Sequence, residues 1–410
     1  MILSLYIDPG TGSMLFTVII GVVAALLFAV KGLFIKLKYF FSGGKAKAET
    51  GDKIPFVIYT DSKRYWNVFE PICDEFERRK VKLTYMTQSE DDPVFSKDYK
   101  YITGEFIGAG NSAFAKLNVL QAGTVLSTTP SLDVYQWKRS KGVDKYVFMF
   151  HDASEGTIYE MFAMDYYDAI MLTGEFQGDY IRRLEKMRNL PAKDIYTTGC
   201  TYLDGMKKRF DIERNSDTAS MLTGRKQILL APSWGESSTL NRFGADILNA
   251  LVKTGYDIVV RPHPQMKISD AALLDKLMKQ FPDNEHFSWN FDNDNFDVLR
   301  KSDLMITDFS GVMCDYALVF DRPLVYADTH IDLSTYDACW IDEPVWRMQI
   351  LPTIGKCLDE KDFPDMKEVL DSVMASDTYR EGRKNVREKV WQYVGESAER
   401  TVDYLLGEAK

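Results

Sequence analysis

The sequence predicts an α/β protein of two doubly wound, Rossmann-like domains facing a cleft, preceded by one N-terminal transmembrane helix. Three observations carry this expectation. From residue 54 to about residue 330, short apolar runs alternate with amphipathic stretches, the signature of βαβ units and parallel sheets. One polar stretch near the middle, DIERNSDTASMLTGRK at 211–226, breaks the rhythm before it restarts. Residues 14–30, MLFTVIIGVVAALLFAV, carry no charge at all.

In chain order, the apolar run continues past Lys31 to Ile35. A helix over about 14–35 reaches the ~20 residues needed to cross a bilayer. Lys31 lies near its end, where a long stem can snorkel to the headgroups. Lys31, Lys36, Lys38, Lys45 and Lys47 follow the run, and only Asp8 precedes it. That bias puts the N-terminus outside and the rest in the cytoplasm. A cleavable signal peptide is the rival, but no basic region precedes the run. The expectation is a single-pass protein of the cell membrane, anchored by residues 1–38.

Residues 39–53 read as a linker. A first domain, 54–212, opens with a strand at 54–59, a helix at 65–79 and a strand at 81–86. Strands at 101–103, 124–127, 145–150 and 169–172 follow, with helices at 113–121, 159–166 and 178–187. After a linker at 213–226, the second domain, 227–375, has strands at 227–231, 257–260, 303–306 and 323–326. Its helices fall at 241–253, 270–280 and 312–320. Residues 376–410 form a last amphipathic helix, with Val386, Val390, Trp391, Val394, Ala398, Val402 and Leu405 on one stripe.

Composition narrows the function. The chain of 410 residues is 45% apolar and 27% charged, a globular balance that excludes disorder or a fibre. Acidic side chains number 60 and basic ones 50, a net charge of −10 that gives no global attraction to nucleic acid. Five scattered cysteines without a C-x-x-C pair exclude a disulfide framework or a zinc ribbon. No nucleic-acid partner, metal or cofactor is expected.

Chemistry is concentrated where strands end, because ligands of such sheets bind at the carboxyl ends of their strands. The strand at 257–260 runs into Arg261-Pro262-His263-Pro264, a rigid turn presenting two donor groups. The strand at 303–306 runs into Thr307-Asp308-Phe309-Ser310-Gly311 and a helix start, whose free N–H groups suit a phosphate. Asp308 would repel a phosphate itself, so capping or holding the turn is the role it fits. Ser233, in the turn Ala231-Pro232-Ser233-Trp234, offers a third set of donors. Arg261, Ser233, Thr307, Asp308, Ser310 and Gly311 thus make up the candidate donor-phosphate and nucleotide site. In the first domain the strand at 145–150 delivers His151, followed by Asp152-Ala153-Ser154-Glu155-Gly156. A histidine beside carboxylates suits a general base. Asp292-Asn293-Asp294 looks like a metal-binding D-x-D, but Asp294 just before a helix is better read as an N-cap. His286 and His330 are given no role. The basic residues Lys138, Arg139 and Lys141 fit either anionic headgroups or an ordinary solvated turn.

These residues, taken together, resemble the CDP-glycerol glycerophosphotransferases, the teichoic-acid primase and polymerase family of cell-wall enzymes, which share a two-domain glycosyltransferase-B (GT-B) architecture. The resemblance rests on Phe150-His151, Ala231-Pro232-Ser233, Arg261-Pro262-His263-Pro264, the stretch from Ser302 to Ser310, Asp315-Tyr316-Ala317 and Arg322-Pro323. It implies an acceptor-side first domain with His151 as base, and a nucleotide-donor second domain in which His263, Ser310 and their neighbours hold a pyrophosphate. The implied function is transfer of glycerol phosphate, or another polyol phosphate, from CDP-glycerol or a related CDP-polyol to a lipid-linked or polymeric acceptor. His151 and His263 are the catalytic candidates. The chain departs from the family where Trp-His-Gly-x-Pro-Leu-Lys becomes Phe-His-Asp-Ala-Ser-Glu-Gly. The paired serine becomes Ser310-Gly311, and an arginine after the Ala-Pro turn is missing. A sugar-nucleotide glycosyltransferase of the same build and a non-catalytic membrane scaffold remain the alternatives.

Overall fold

A computed structural model of the chain describes residues 53–216, 224–327, 329 and 331–409. The expected membrane helix at 14–35, nearly all of the first linker, much of the second and His330 lie outside these residues. Among the described residues no helix is long and apolar enough to cross a membrane.

Two all-parallel sheets organise the chain. The first has seven strands: β1 (Ile54–Thr60), β2 (Leu83–Thr87), β3 (Ile102–Phe106), β4 (Gln121–Ser127), β5 (Gly142–Met149), β6 (Ala169–Leu172) and β7 (Asp194–Thr197). Their order is β3-β2-β1-β4-β5-β6-β7. The second has β8 (Gln227–Leu230), β9 (Asp257–Val260), β10 (Phe287–Trp289), β11 (Leu304–Thr307), β12 (Leu324–Ala327) and β13 (Lys356–Leu358), in the order β10-β9-β8-β11-β12-β13. Both lobes share one winding, with a switch point between β1 and β4 and between β8 and β11, where a crevice opens outside the strand ends. Helices cover both faces, so β6 and β11 are buried along their whole length, as continuous apolar runs require.

Three expected helices differ, the edge strands β7, β10 and β13 were not expected, and a helix, Thr201–Ser216, runs into the linker expected from 213. Residues 159–166 are not a helix. Their backbone is engaged by a strap from the second lobe: Met161 N–H donates to Thr335 O (3.2 Å), and Asp337 N–H to Tyr159 O (3.0 Å). Asp337 also accepts from Phe162 N–H (2.8 Å) and pairs with Arg188, both ion-pair side chains being buried. Phe162 has φ +68°, which no helix interior accommodates. The last helix is two, Arg380–Val390 and Ser397–Leu406, broken where Tyr393 and Gly395 take positive φ and the Trp391 indole donates to Asp204 (2.8 Å). The helix expected at 312–320 begins as Val312–Cys314 and widens to a π-helix over Asp315–Phe320.

The lobes are joined by an apolar seam. Ala153, Phe176, Leu203 and Met206 of the first lobe share one buried cluster with Met305, Met313, Tyr316, Trp346 and Leu351 of the second. The rings of Phe176 and Trp346 lie 4.6 Å apart. The last helix returns to the first lobe, where Asp403 and Glu408 meet Arg79 at 2.7 and 3.0 Å.

Candidate active site between the lobes

The site is built from turns at strand ends, and the buried Asp308 carboxylate organises those of the second lobe. It accepts from Ser233 N–H (2.8 Å), Ser310 N–H (3.1 Å), Thr239 N–H (2.9 Å) and the Thr239 hydroxyl (2.9 Å). One side chain therefore ties the turn after β8, the start of helix Thr239–Val252 and the turn after β11. Asp308 serves as a bracket and not as a phosphate ligand. Thr307 is also withdrawn from any ligand: it is fully buried, and its hydroxyl donates to Ala231 O (2.7 Å). Ser233 and Ser310 are almost buried, and the bracket fixes both of their backbones.

Arg261 follows β9, and its guanidinium turns toward the loop after β10, donating to Asn290 Oδ1 and to Asp292 O (2.8 Å). Direct contact with a donor is left to its remaining N–H groups. His263 is fixed by its own turn, because Gln265 N–H donates to Nδ1 (3.1 Å). A backbone amide can only donate, so Nδ1 accepts and the neutral ring carries its proton on Nε2. Burial, then Arg64 and Arg261, push this imidazole down to about 4, so His263 is a neutral hydrogen-bond donor at physiological pH. Trp234 lies 6.3 Å away, partly exposed.

In the first lobe β5 ends before His151, whose Nδ1 lies 3.1 Å from the Thr128 hydroxyl and 3.2 Å from the Tyr159 hydroxyl. Either can accept an Nδ1 proton, which leaves Nε2 free to take one. Burial lowers the basicity of His151, Asp152 opposes that effect, and Arg64 adds to it. Tyr65 packs its ring 5.0 Å away. The loop then folds back over Phe150 at Gly156, where φ is +78° and a Cβ would stand 2.4 Å from the Phe150 ring. Only glycine fits.

Cross-lobe contacts close the site. Asp152 Oδ2 lies 3.0 Å from where a Cβ on Gly311 would be. Arg347, nearly buried on helix Trp346–Ile354, donates to Phe309 O (2.8 Å) and pairs with the buried Glu155 at 3.4 Å. It clasps the loop after His151 to the turn after β11. The exposed Arg64 acts electrostatically on both His151 and His263, which sets its charge over the cleft.

Asp61, Arg64, Tyr65, Thr128, Tyr159 and Arg347 were not singled out from sequence. The first four follow β1 and β4, and the strand-end rule applied to the other turns would have found them. Asp61 is held up by burial against the pull of Arg64. Asp294 is not the N-cap expected from sequence: Asn295 holds that position, and Asp294, one residue earlier, accepts from Phe296 N–H (3.0 Å) in a local turn. Among the described residues no cluster of three His, Cys, Asp or Glu could hold a metal. Lys138 donates to Asp133 O (2.9 Å), and Arg139 pairs with Asp168 (2.9 Å).

Comparison with known proteins agrees with the layout. The family described as CDP-glycerol:poly(glycerophosphate) glycerophosphotransferase matches residues 167–407. No curated protein matches the chain in sequence. Among solved structures, the UDP-GlcNAc 2-epimerase of Neisseria meningitidis bound to UDP-GlcNAc superposes with a TM-score of 0.56 at 13% identity, covering 87% of this chain and 100% of that one. A co-structure of S. aureus MnaA with UDP gives 0.54 at 13% identity, covering 87% and 97%. The UDP-N-acetylglucosamine 2-epimerase of Rickettsia bellii gives 0.54 at 10% identity, covering 87% and 96%. At these identities the likeness is one of fold: two lobes of GT-B type.

Proposed function

The chain belongs to the CDP-glycerol:poly(glycerophosphate) glycerophosphotransferase family, and from that premise we propose that it transfers glycerol phosphate from CDP-glycerol to a hydroxyl of a lipid-linked or polymeric cell-envelope acceptor. His151 Nε2 takes the proton of the acceptor hydroxyl while Nδ1–H is held by Thr128 or Tyr159. The freed oxygen attacks the β-phosphorus, the bond to the α-phosphate oxygen breaks, and CMP leaves. Charge growing on the phosphoryl oxygens meets the Nε2–H of His263, the Ser310 hydroxyl, the Gly311 N–H and the Arg64 guanidinium, the Ser310 N–H being held by Asp308. This is electrostatic stabilisation by groups already in place.

The observation that carries the reading is the approach of the two lobes at one point. Asp152, the residue after His151, approaches the donor-side helix start at Gly311, which supports base and phosphate turn serving one site. Tethering by residues 1–38, with the catalytic domains in the cytoplasm, belongs to the same proposal: a lipid-linked acceptor stays at the bilayer, and an anchored enzyme meets it at higher effective concentration. Calorimetry with CDP-glycerol, CDP-ribitol, UDP-GlcNAc and a GDP-sugar tests the donor. Binding of CDP-polyols alone supports phosphotransfer. Binding of UDP-GlcNAc alone would replace it with the alternative of a sugar-nucleotide glycosyltransferase.

A further inference from the structure

We infer that Asp152 reads the hydroxyl groups of the transferred unit, making the site selective for a donor whose transferred group carries neighbouring hydroxyls. This rests on the phosphotransfer reading above. In that reaction the transferred unit hangs from the phosphorus held at the Ser310–Gly311 turn, and it lies beside the hydroxyl that His151 activates. Asp152 occupies that interval. It follows His151 in the chain, and its Oδ2 reaches across the cleft to within 3.0 Å of the Cβ position of Gly311.

The carboxylate is oriented but not used up. The Ser154 hydroxyl donates to Oδ1 (2.7 Å), and no hydrogen bond reaches Oδ2 from the described residues. Among the described residues no ion pair reaches it: the Arg347 guanidinium acts on it electrostatically but bonds to Glu155 and to Phe309 O. A half-buried anion with an open acceptor oxygen repels phosphate and calls for neutral O–H donors. A vicinal diol, such as the two free hydroxyls of a glycerol esterified at one end, supplies two such donors side by side. Hydrogen bonds to a charged acceptor are the stronger kind.

The family pattern has glycine directly after this histidine, so the reading concerns this chain's own residue. The test is calorimetry on the full-length protein with three ligands: CDP, CDP-glycerol, and the deoxy analogue CDP-1,3-propanediol. Wild type should bind CDP-glycerol about 10- to 100-fold more tightly than the deoxy analogue, the loss expected for a hydrogen bond to a charged group. Asp152→Ala should erase most of that preference while holding or raising the affinity for CDP. Should that variant not fold, Asp152→Asn keeps the shape and the Ser154 partner. Equal binding of CDP-glycerol and the deoxy analogue by wild type overturns the inference, as does preference retained in Asp152→Ala. If wild type binds neither CDP nor CDP-glycerol, the phosphotransfer reading falls first and takes this inference with it.

Discussion

Removing the Asp308 carboxylate should cost more than any other single change in the donor lobe. Asp308→Ala deletes an acceptor with four donors on it: the amides of Ser233, Thr239 and Ser310 and the Thr239 hydroxyl, at 2.8–3.1 Å. The carboxylate has no exposed surface, so these donors lose their partner where water is scarce. An unsatisfied buried group costs about 1–3 kcal/mol, and four that partly relax or admit a water amount to about 4–6 kcal/mol. Asp308→Asn keeps one acceptor oxygen but turns an NH2 group toward two donors, so about 2–3 kcal/mol is expected. Thr307→Val, which removes one hydroxyl bond at equal shape, should cost only about 1 kcal/mol. Urea denaturation followed by circular dichroism ranks the three variants. An Asp308→Ala protein within about 1 kcal/mol of wild type would refute the bracket.

Other perturbations probe the remaining parts of the site. His151→Ala should lower turnover about 10²–10⁴-fold while leaving CDP-glycerol affinity nearly unchanged, and full turnover in this variant would remove His151 from the mechanism. Because burial holds the His151 imidazole below its usual range, the acid limb of the rate profile should fall below about pH 6.5, and a limb above that value would contradict the site's electrostatics. Burial raises the Asp315 carboxyl to about 7, so the native state holds a proton that the unfolded chain releases near 4. Stability from this group is therefore lost as pH rises from about 4 to about 7, by up to about 4 kcal/mol, and Asp315→Asn should flatten that decline in denaturation series at pH 5 and pH 8. Arg347→Met strands the buried Glu155 and should cost about 3–5 kcal/mol, whereas Arg347→Met with Glu155→Gln should recover part of it; no recovery would mean that the pair is not the cause. Deleting residues 1–38 should impair transfer to a lipid-linked acceptor far more than to a soluble analogue, and equal losses would argue against tethering.

The inner strands were legible because parallel strands buried on both faces write themselves as short apolar runs, and the turns that matter follow those runs directly; the edge strands β7, β10 and β13, short and partly exposed, carry no such run. Position along a strand end, however, does not reveal side-chain direction. Thr307 and Ser310 sit in the same turn, yet the first hydroxyl points into the core and only the second residue lies at the cleft edge. Residues 159–166 have a helix-compatible pattern, but a strap more than 170 positions away in sequence claims their backbone, and no local rule anticipates that partner. The Arg347 clasp is hidden for the same reason, since Glu155 and Arg347 are separated by 192 positions. Asp308 was legible in kind, because a carboxylate before a helix start suits a cap. That it also holds the turn after β8 emerges only from the sheet order that makes β8 and β11 neighbours.

The seam of Phe176, Trp346 and their neighbours bears on how substrates enter. Two bodies fused by an apolar core cannot swing apart like jaws without wetting that core, and wetted apolar area weighs about 25 cal/mol for each Å². Entry is therefore left to the rim, where Trp234 is partly exposed, while the Arg347 clasp and the Arg188–Asp337 pair hold down the loop after His151 and the strap. The same weld makes heat dismantle both halves in one cooperative step, where loosely hinged lobes would melt in two.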